Sequence, residues 1–328
     1  MSLSSATLFV DEPGSSVGIS KNRFVVKKQR KILLSIPQNH CERVIIAAGS
    51  ISMSSDFVAV CAELGIGIDF LDRSLKEPLA HLSTPNQAYA KMTQRQLMLQ
   101  DTTKQLDLAK AFLKAKGKNQ INYLRYLDKH HNLFAPTIIQ MRHLHHHMIE
   151  KANSTQELMG FEGQISHLYW QGLAKMLEGK VDFSNRHTKG ATDVVNVSLN
   201  YAYGILYGRI HYHALKAGLS LHIPFLHSGD GKRPALVYDM IEEFRTFVVD
   251  RVIFRMFNQR EPLDTDEDGR LTPFSQRRIA SEVIRRLNTH TKYQNNSVMI
   301  ENIISRQSYL LARAIKGVAK YRGFVGRY

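Results

Sequence analysis

Cysteine is nearly missing from this chain: Cys41 and Cys61 are its only two in 328 residues. Both lie in apolar runs (NHCERVII and FVAVCAELG) and form no CxxC pair. That excludes a disulfide framework and a cysteine-rich zinc module, and it fits a reducing cytoplasm. No stretch approaches the roughly twenty apolar residues of a helical membrane span, so no membrane partner is expected. The start, MSLSSATLFVDEP, has no basic segment leading into an apolar core, which argues against a secretory leader. GxGxxG and Walker patterns are also missing, and with them any expectation of a nucleotide cofactor. Acids are the scarcer charge: 29 Asp and Glu against 44 Lys and Arg leave a formal net charge of +15 and a pI of about 9.7. Such a surplus points to a polyanionic partner, nucleic acid before an anionic membrane surface.

Two kinds of periodicity divide what is there. Over the first eighty residues TLFV, SVGI, RFVV, KILLSI, RVIIAA, IGIDFL and PLAHL read as short strands separated by turn residues. One helix interrupts them: SSDFVAVCAELG, capped by Ser54 or Ser55 and stopped by Gly65. After STPNQAY the apolar spacing becomes three-to-four and stays so, with breaks at Gly, Pro, Asn or Asp. The expected fold class is therefore α+β, with a small β-rich domain over 1–84 and a larger all-helical domain over 85–328, Pro85 marking the junction.

The stretch FLHSGDGKRPALVYDMIEEFR (225–245) is acidic within a basic chain. Pro234 suits the first turn of a helix, which would bring Asp239, Glu242 and Glu243 close together. Clustered carboxylates repel one another unless a cation neutralises them. A divalent metal would serve, Arg245 less well, and His227 on the preceding loop could fold over the same region. The bland alternative is an exposed acidic helix face. A second stretch, MGFEGQISHLYWQGL (159–173), sets Glu162 between Gly160 and Gly163. Two helical glycines imply close approach by a neighbouring helix, backbone or ligand, with Glu162 either functional or facing solvent. In LNYAYGILYGRIHYHALKAG, Gly204 and Gly208 again suit close packing, and Tyr201, Tyr203, Tyr207 and Tyr212 read as core aromatics.

Taken in order and spacing, GFEG…LYW, LNYAYGIL, GLSLHIPFLH and VYDMIEEFR resemble the CRISPR-associated integrase-nuclease family, Cas-one, of spacer acquisition. RVIIAAGSISMSSDFVAVCAELGIGIDFLD and KGKNQINYLRYL extend the resemblance across most of residues 6 to 320. It implies a β-sandwich-like dimerisation domain followed by a helical catalytic domain. It also implies a divalent-metal site of one glutamate, one histidine and one further acid. These roles fall on Glu162 of GxEG, His227 ending FLH, and Glu242 of the D-x-x-[DE] helix, with Asp239 its near neighbour and Glu243 and Arg245 filling the rest. The chain departs from the usual pattern at Ser166-His167, where Ala-Arg is common. Ser220 stands where an acid is common, and Pro224 where glycine often stands.

The implied activity is metal-dependent DNA cleavage and integration, placing spacer DNA into a CRISPR array. A 3′-hydroxyl attacks a phosphodiester directly, with Mg²⁺ or Mn²⁺ stabilising the charge that builds on the phosphoryl oxygens. Two carboxylates suit either ion, and one imidazole tilts the set towards Mn²⁺. The implied partners are double-stranded DNA (spacer precursor and CRISPR repeat), a second copy of the chain, and the small protein Cas-two, all in the cytoplasm. KKQRK (27–31), KAKGK (114–118), RRIASEVIRR (277–286) and KYRGFVGR (320–327) are the basic runs available to phosphates. The alternative from another class is a non-catalytic nucleic-acid-binding scaffold of the same fold. An unrelated helical metallohydrolase would make poor use of the charge. DTDEDGRLTPFS (264–275) nearly spells a calcium loop but carries Ser275 where a glutamate belongs, so it reads as a loop before a helix capped by Thr272. RHLHHHM (142–148) places His143 and His147 four apart without a third zinc ligand.

Overall fold

A computed structural model describes residues 6–71, 78–82, 87–229 and 233–328. The chain forms two compact units, Met1–Gln87 and Ala88–Tyr328. The boundary expected at 84/85 lies outside the described residues.

All seven expected strands form in the first unit, joined by a short eighth. They are β1 (Ala6–Val10), β2 (Ser16–Ser20), β3 (Arg23–Lys28), β4 (Lys31–Pro37), β5 (Cys41–Ile46), β6 (Ser52–Met53), β7 (Gly67–Leu71) and β8 (Pro78–Leu82). One sheet runs β1-β5-β7-β8 and the other β4-β3-β2-β6. Leu8, Val10, Val44 and Ile68 of the first sheet share one core with Val17, Phe24 and Val26 of the second. Helix α1 (Ser55–Glu63) starts where its cap predicts: Ser54 accepts the amide N–H of Phe57. Gly65 follows at φ +67, the left-handed conformation that glycine adopts at no steric cost. Both thiols are buried and unpaired, and burial pushes Cys61 up to about 12, so it is inert.

Three strands of the first sheet are tied by one buried acid. Asp69 on β7 accepts from Arg43 Nε on β5 at 2.6 Å and pairs with His81 Nδ1 on β8 at 2.7 Å. Burial works to raise its titration, yet the His81 hydrogen bond and the Arg43 cation hold it below the usual 3.8. A folded-state value below the unfolded one means its stabilisation is complete above about pH 4 and fades as the pH falls through the folded value. Asp69→Asn is expected to cost about 3–5 kcal/mol, because it strands a buried guanidinium. Hydrogen exchange of the β5 and β7 amides at neutral pH would show the loss, and unchanged protection would refute it.

The second unit holds α2 (Gln87–Met98), α3 (Thr103–His131), α4 (Ala135–Lys151), α5 (Thr155–Leu177) and α6 (Val194–Lys216). It continues with α7 (Ala235–Ile241), α8 (Arg251–Asn258), α9 (Pro273–Leu287) and α10 (Ile300–Ile315). It is helical with one addition, an antiparallel hairpin of β9 (His290–Tyr293) and β10 (Asn296–Met299). Helical periodicity hides such a pair, since four-residue strands between two helices leave too few positions to register a period of two. Not every glycine breaks a helix: α3 runs through Gly117, where a Cβ would fall 2.5 Å from the His145 ring. That glycine is needed for close packing rather than for a turn. Between α7 and α8 the helix widens into π-helical Arg245–Asp250, a form that recurs at functional sites.

The tail is built into the core. Tyr321 and Phe324 are buried, and Phe324 stacks on Phe244 with centroids 5.3 Å apart. Lys320, Arg322 and Arg327 alternate outward. Thr272 caps α9 as expected, accepting from the Ser275 amide.

Candidate active site

Asp239, Glu242 and Glu243 are buried, not solvated: Asp239 and Glu243 are 0% exposed and Glu242 4%. Each is held by partners of its own.

Asp239 is a positioning group. Its Oδ2 accepts the amides of Phe225 (2.6 Å) and Leu226 (3.0 Å), and its Oδ1 accepts the amide of His227 (3.0 Å) and meets His227 Nδ1 at 2.7 Å. A carboxylate so engaged fixes the imidazole and, with the proton on Nδ1, leaves the Nε2 lone pair free to bind a cation. Burial alone would lower the His227 titration, but the Asp239 hydrogen bond and the charges of Asp239 and Glu242 raise it. The loop before His227 is held by glutamines from α2 and beyond. Gln96 bonds the Ser220 amide and carbonyl and the Ile223 carbonyl, Gln100 the Pro224 carbonyl, and Gln105 the Phe225 carbonyl. Sequence reading missed all three, although Gln96 in an apolar stripe was a visible signal.

Glu242 and Glu162 meet across three helices. Lys116 on α3 places its ammonium 2.5 Å from Glu162 Oε1 and 2.6 Å from Glu242 Oε2. Arg245 Nε donates to Glu242 Oε1 at 3.0 Å. Burial works against the ionised form of Glu242, yet Arg245 and Lys116 bring it down to about 2. Glu162 is held below the usual range, chiefly by Lys116 against the pull of burial, and Ser166 donates to its Oε1 at 2.7 Å. Gly160 and Gly163 are exposed, and a Cβ on either would meet nothing within 4 Å. No described helix or backbone makes the close approach expected beside Glu162, which leaves its flanks open to a ligand. Gly208 is likewise uncrowded.

Lys116 belongs to KAKGK, one of the basic runs available to phosphates. Its spacing with Asn119, Gln120 and Tyr123 (i, i+3, i+4, i+7) is a polar row on the buried seam of α3, and that was the available clue. Glu243 turns to the tail instead. It accepts from Tyr321 Oη (2.8 Å), Gln307 Nε2 (2.9 Å) and the Phe324 amide, and burial raises it to about 7.

The tyrosines are structural. Tyr169 and Tyr203 donate to the buried Asp250, and Arg245 lies over the Tyr203 ring, 4.6 Å from its centroid. In RRIASEVIRR, Arg278 and Arg285 pair with Glu282, so part of that run is committed within the fold.

Comparison with known proteins places these features in context. The family model described as CRISPR associated protein Cas1 matches residues 8–290. The chain is 28% identical to a CRISPR-associated endonuclease Cas1 of Archaeoglobus fulgidus, over 98% of this chain and 99% of that one. Among solved structures it is similar to a casposase bound to its integration product (TM-score 0.77, 20% identity, 97% of this chain and 92% of that one). It is also similar to a chain of a Cas6-RT-Cas1–Cas2 complex (TM-score 0.77, 20% identity, 98% and 36%). At those identities the likeness is one of fold.

Proposed function

The chain belongs to the Cas1 family of CRISPR-associated proteins, and from that premise we propose that it is a divalent-metal-dependent DNA endonuclease and integrase of spacer acquisition. The observation that carries this reading is the convergence of Glu162 and Glu242, from two distant helices, on a single cation. Glu162, Glu242 and His227 would hold the ion. Among the described residues no three His, Cys, Asp or Glu side chains are arranged to hold one as they stand, since the Lys116 ammonium engages both carboxylates. The donor set nevertheless fits: Glu242 Oε2 is enclosed against the Lys116 ammonium, where a cation already stands, and Asp239 leaves the outer nitrogen of His227 available. A bound Mg²⁺ or Mn²⁺ would supply a Lewis acid for the phosphodiester oxygens.

The protein's own groups then have limited duties. Asp239 orients the imidazole, Ser166 steadies Glu162, and Arg245 keeps Glu242 ionised. Both thiols and the side chains of Tyr169 and Tyr203 are buried, and none of them is assigned the attack. On the family reading, the attacking hydroxyl would belong to DNA in joining and to water in cleavage. Lys104, Lys110, Lys114, Lys320 and Arg322 line a groove of about 810 Å³ between α3 and the tail, which suits a phosphate backbone. Chelation is expected to abolish cleavage and joining while DNA binding persists, with Mn²⁺ restoring turnover. Turnover that survives chelation would refute the metal, and a protein that binds DNA but never turns over would be the scaffold instead.

Double-stranded DNA and a Cas2 protein are the partners this reading implies, supported by the DNA-bound and Cas2-bound relatives in fold. A second copy is supported by β4, an edge strand whose Ile32, Leu33 and Leu34 are 57%, 45% and 39% exposed. Edges of that kind are usually covered. Leu33→Glu is expected to turn a dimer into a monomer by light scattering, whereas an unchanged mass would place the interface elsewhere. No described helix is long and apolar enough to cross a membrane, and a cytoplasmic setting is proposed.

A further inference from the structure

Two cations neutralise Glu242, and they are held very differently. The Arg245 guanidinium bonds Glu242 Oε1 and lies over the Tyr203 ring, and that ring is itself anchored by Asp250. A planar fork stacked on an aromatic face is fixed in place. Lys116 has no such support. Its ammonium donates to Glu162 Oε1 and stands 2.6 Å from the buried Glu242 Oε2 as an ion pair. A divalent ion at the same oxygens would bring twice the charge.

The helix beneath does not need to move for the two to exchange. The His145 ring fills the space where a side chain on Gly117 would stand, and Asn119 bonds the carbonyls of Glu243 and Phe324. What remains free is the four-carbon stem of Lys116, with the side chain 13% exposed and the flank of α5 open at Gly160 and Gly163.

We propose that Lys116 is a positioning residue that acts as a resident counter-cation. It holds Glu162 and Glu242 together and ionised before a divalent ion arrives, and it competes with that ion for their oxygens, so it sets the affinity of the site. This rests on the metal reading above. The ammonium keeps two acids from separate helices in register without the ion, at the cost of weaker ion binding.

The test is Mn²⁺ titration of the full-length protein by calorimetry, with thermal melting in parallel. Lys116→Met should bind Mn²⁺ about tenfold more tightly, as expected when one ligand's removal relieves competition with another. It should melt lower in chelator and gain more from Mn²⁺ than the unmodified protein does. Lys116→Arg keeps the charge and adds a fork matched to carboxylates, so it should fold normally and bind Mn²⁺ at least about fivefold more weakly. Unchanged or weaker binding by Lys116→Met overturns the inference. If Lys116→Met fails to fold, the arginine variant decides, and affinity equal to or tighter than the unmodified protein's overturns it. Mn²⁺ uptake by the unmodified protein that Glu162→Gln leaves untouched would overturn the metal reading and this inference with it.

Discussion

Glu162→Gln is expected to lower Mn²⁺-dependent cleavage and joining by about a thousandfold, the scale seen when one preorganised electrostatic group is lost. Duplex DNA affinity should stay within about twofold, since phosphate binding is set by the basic surface. The substitution keeps the side chain's shape and an acceptor for Ser166 and Lys116, so folding should be little affected. It removes one negative charge from a set whose proposed task is to hold a doubly charged ion. His227→Ala should act in the same direction but less, by about a hundredfold, because an imidazole contributes a lone pair and no formal charge. Strand cleavage and strand joining on labelled substrates, beside a binding isotherm, give the readout. Full activity in Glu162, His227 and Glu242 variants alike would place the chemistry elsewhere on the chain.

Asp239→Ala should be the most damaging change to stability in this region. The carboxylate satisfies three consecutive amides and one imidazole N–H within a wholly buried setting. Removing it strands those donors, at an expected cost of about 3–5 kcal/mol, read from urea unfolding. Asp239→Asn separates structure from ion binding. Its carbonyl oxygen can still accept backbone amides, so stability should fall less. Its amide would donate to Nδ1 and move the imidazole proton to Nε2, removing the lone pair a metal needs. Mn²⁺ affinity should then drop about 10–100-fold. An asparagine variant that binds Mn²⁺ normally would show that His227 is not a ligand.

The local signals were the readable ones. Ser54 caps α1, Thr272 caps α9, and seven strands lie where short β-branched runs meet turn residues. Each depends on neighbours within a few positions, and the chain carries those neighbours with it. The resemblance supplied the names Glu162, His227 and Glu242, and the fold gives them close electrostatic company. The glycines beside Glu162 show the limit of a local signal: a missing side chain does not say what approaches it, and here no described protein atom lies within 4 Å of a Cβ built on Gly160 or Gly163.

Lys116 belongs to the opposite case. Nothing in KAKGK says that Lys116 points inward between two acids while Lys114 and Lys118 face solvent. Glu242 and Glu243 are adjacent in sequence, yet one is held ionised by cations and the other is buried on the tail's hydroxyl and amide groups. From the sequence alone came the class of fold, the succession of elements, the basic surplus and the types of side chain able to hold a cation. The tertiary structure decided which charge neutralises which, because a buried charge is governed by partners within a few ångströms, and those partners come from segments far apart along the chain.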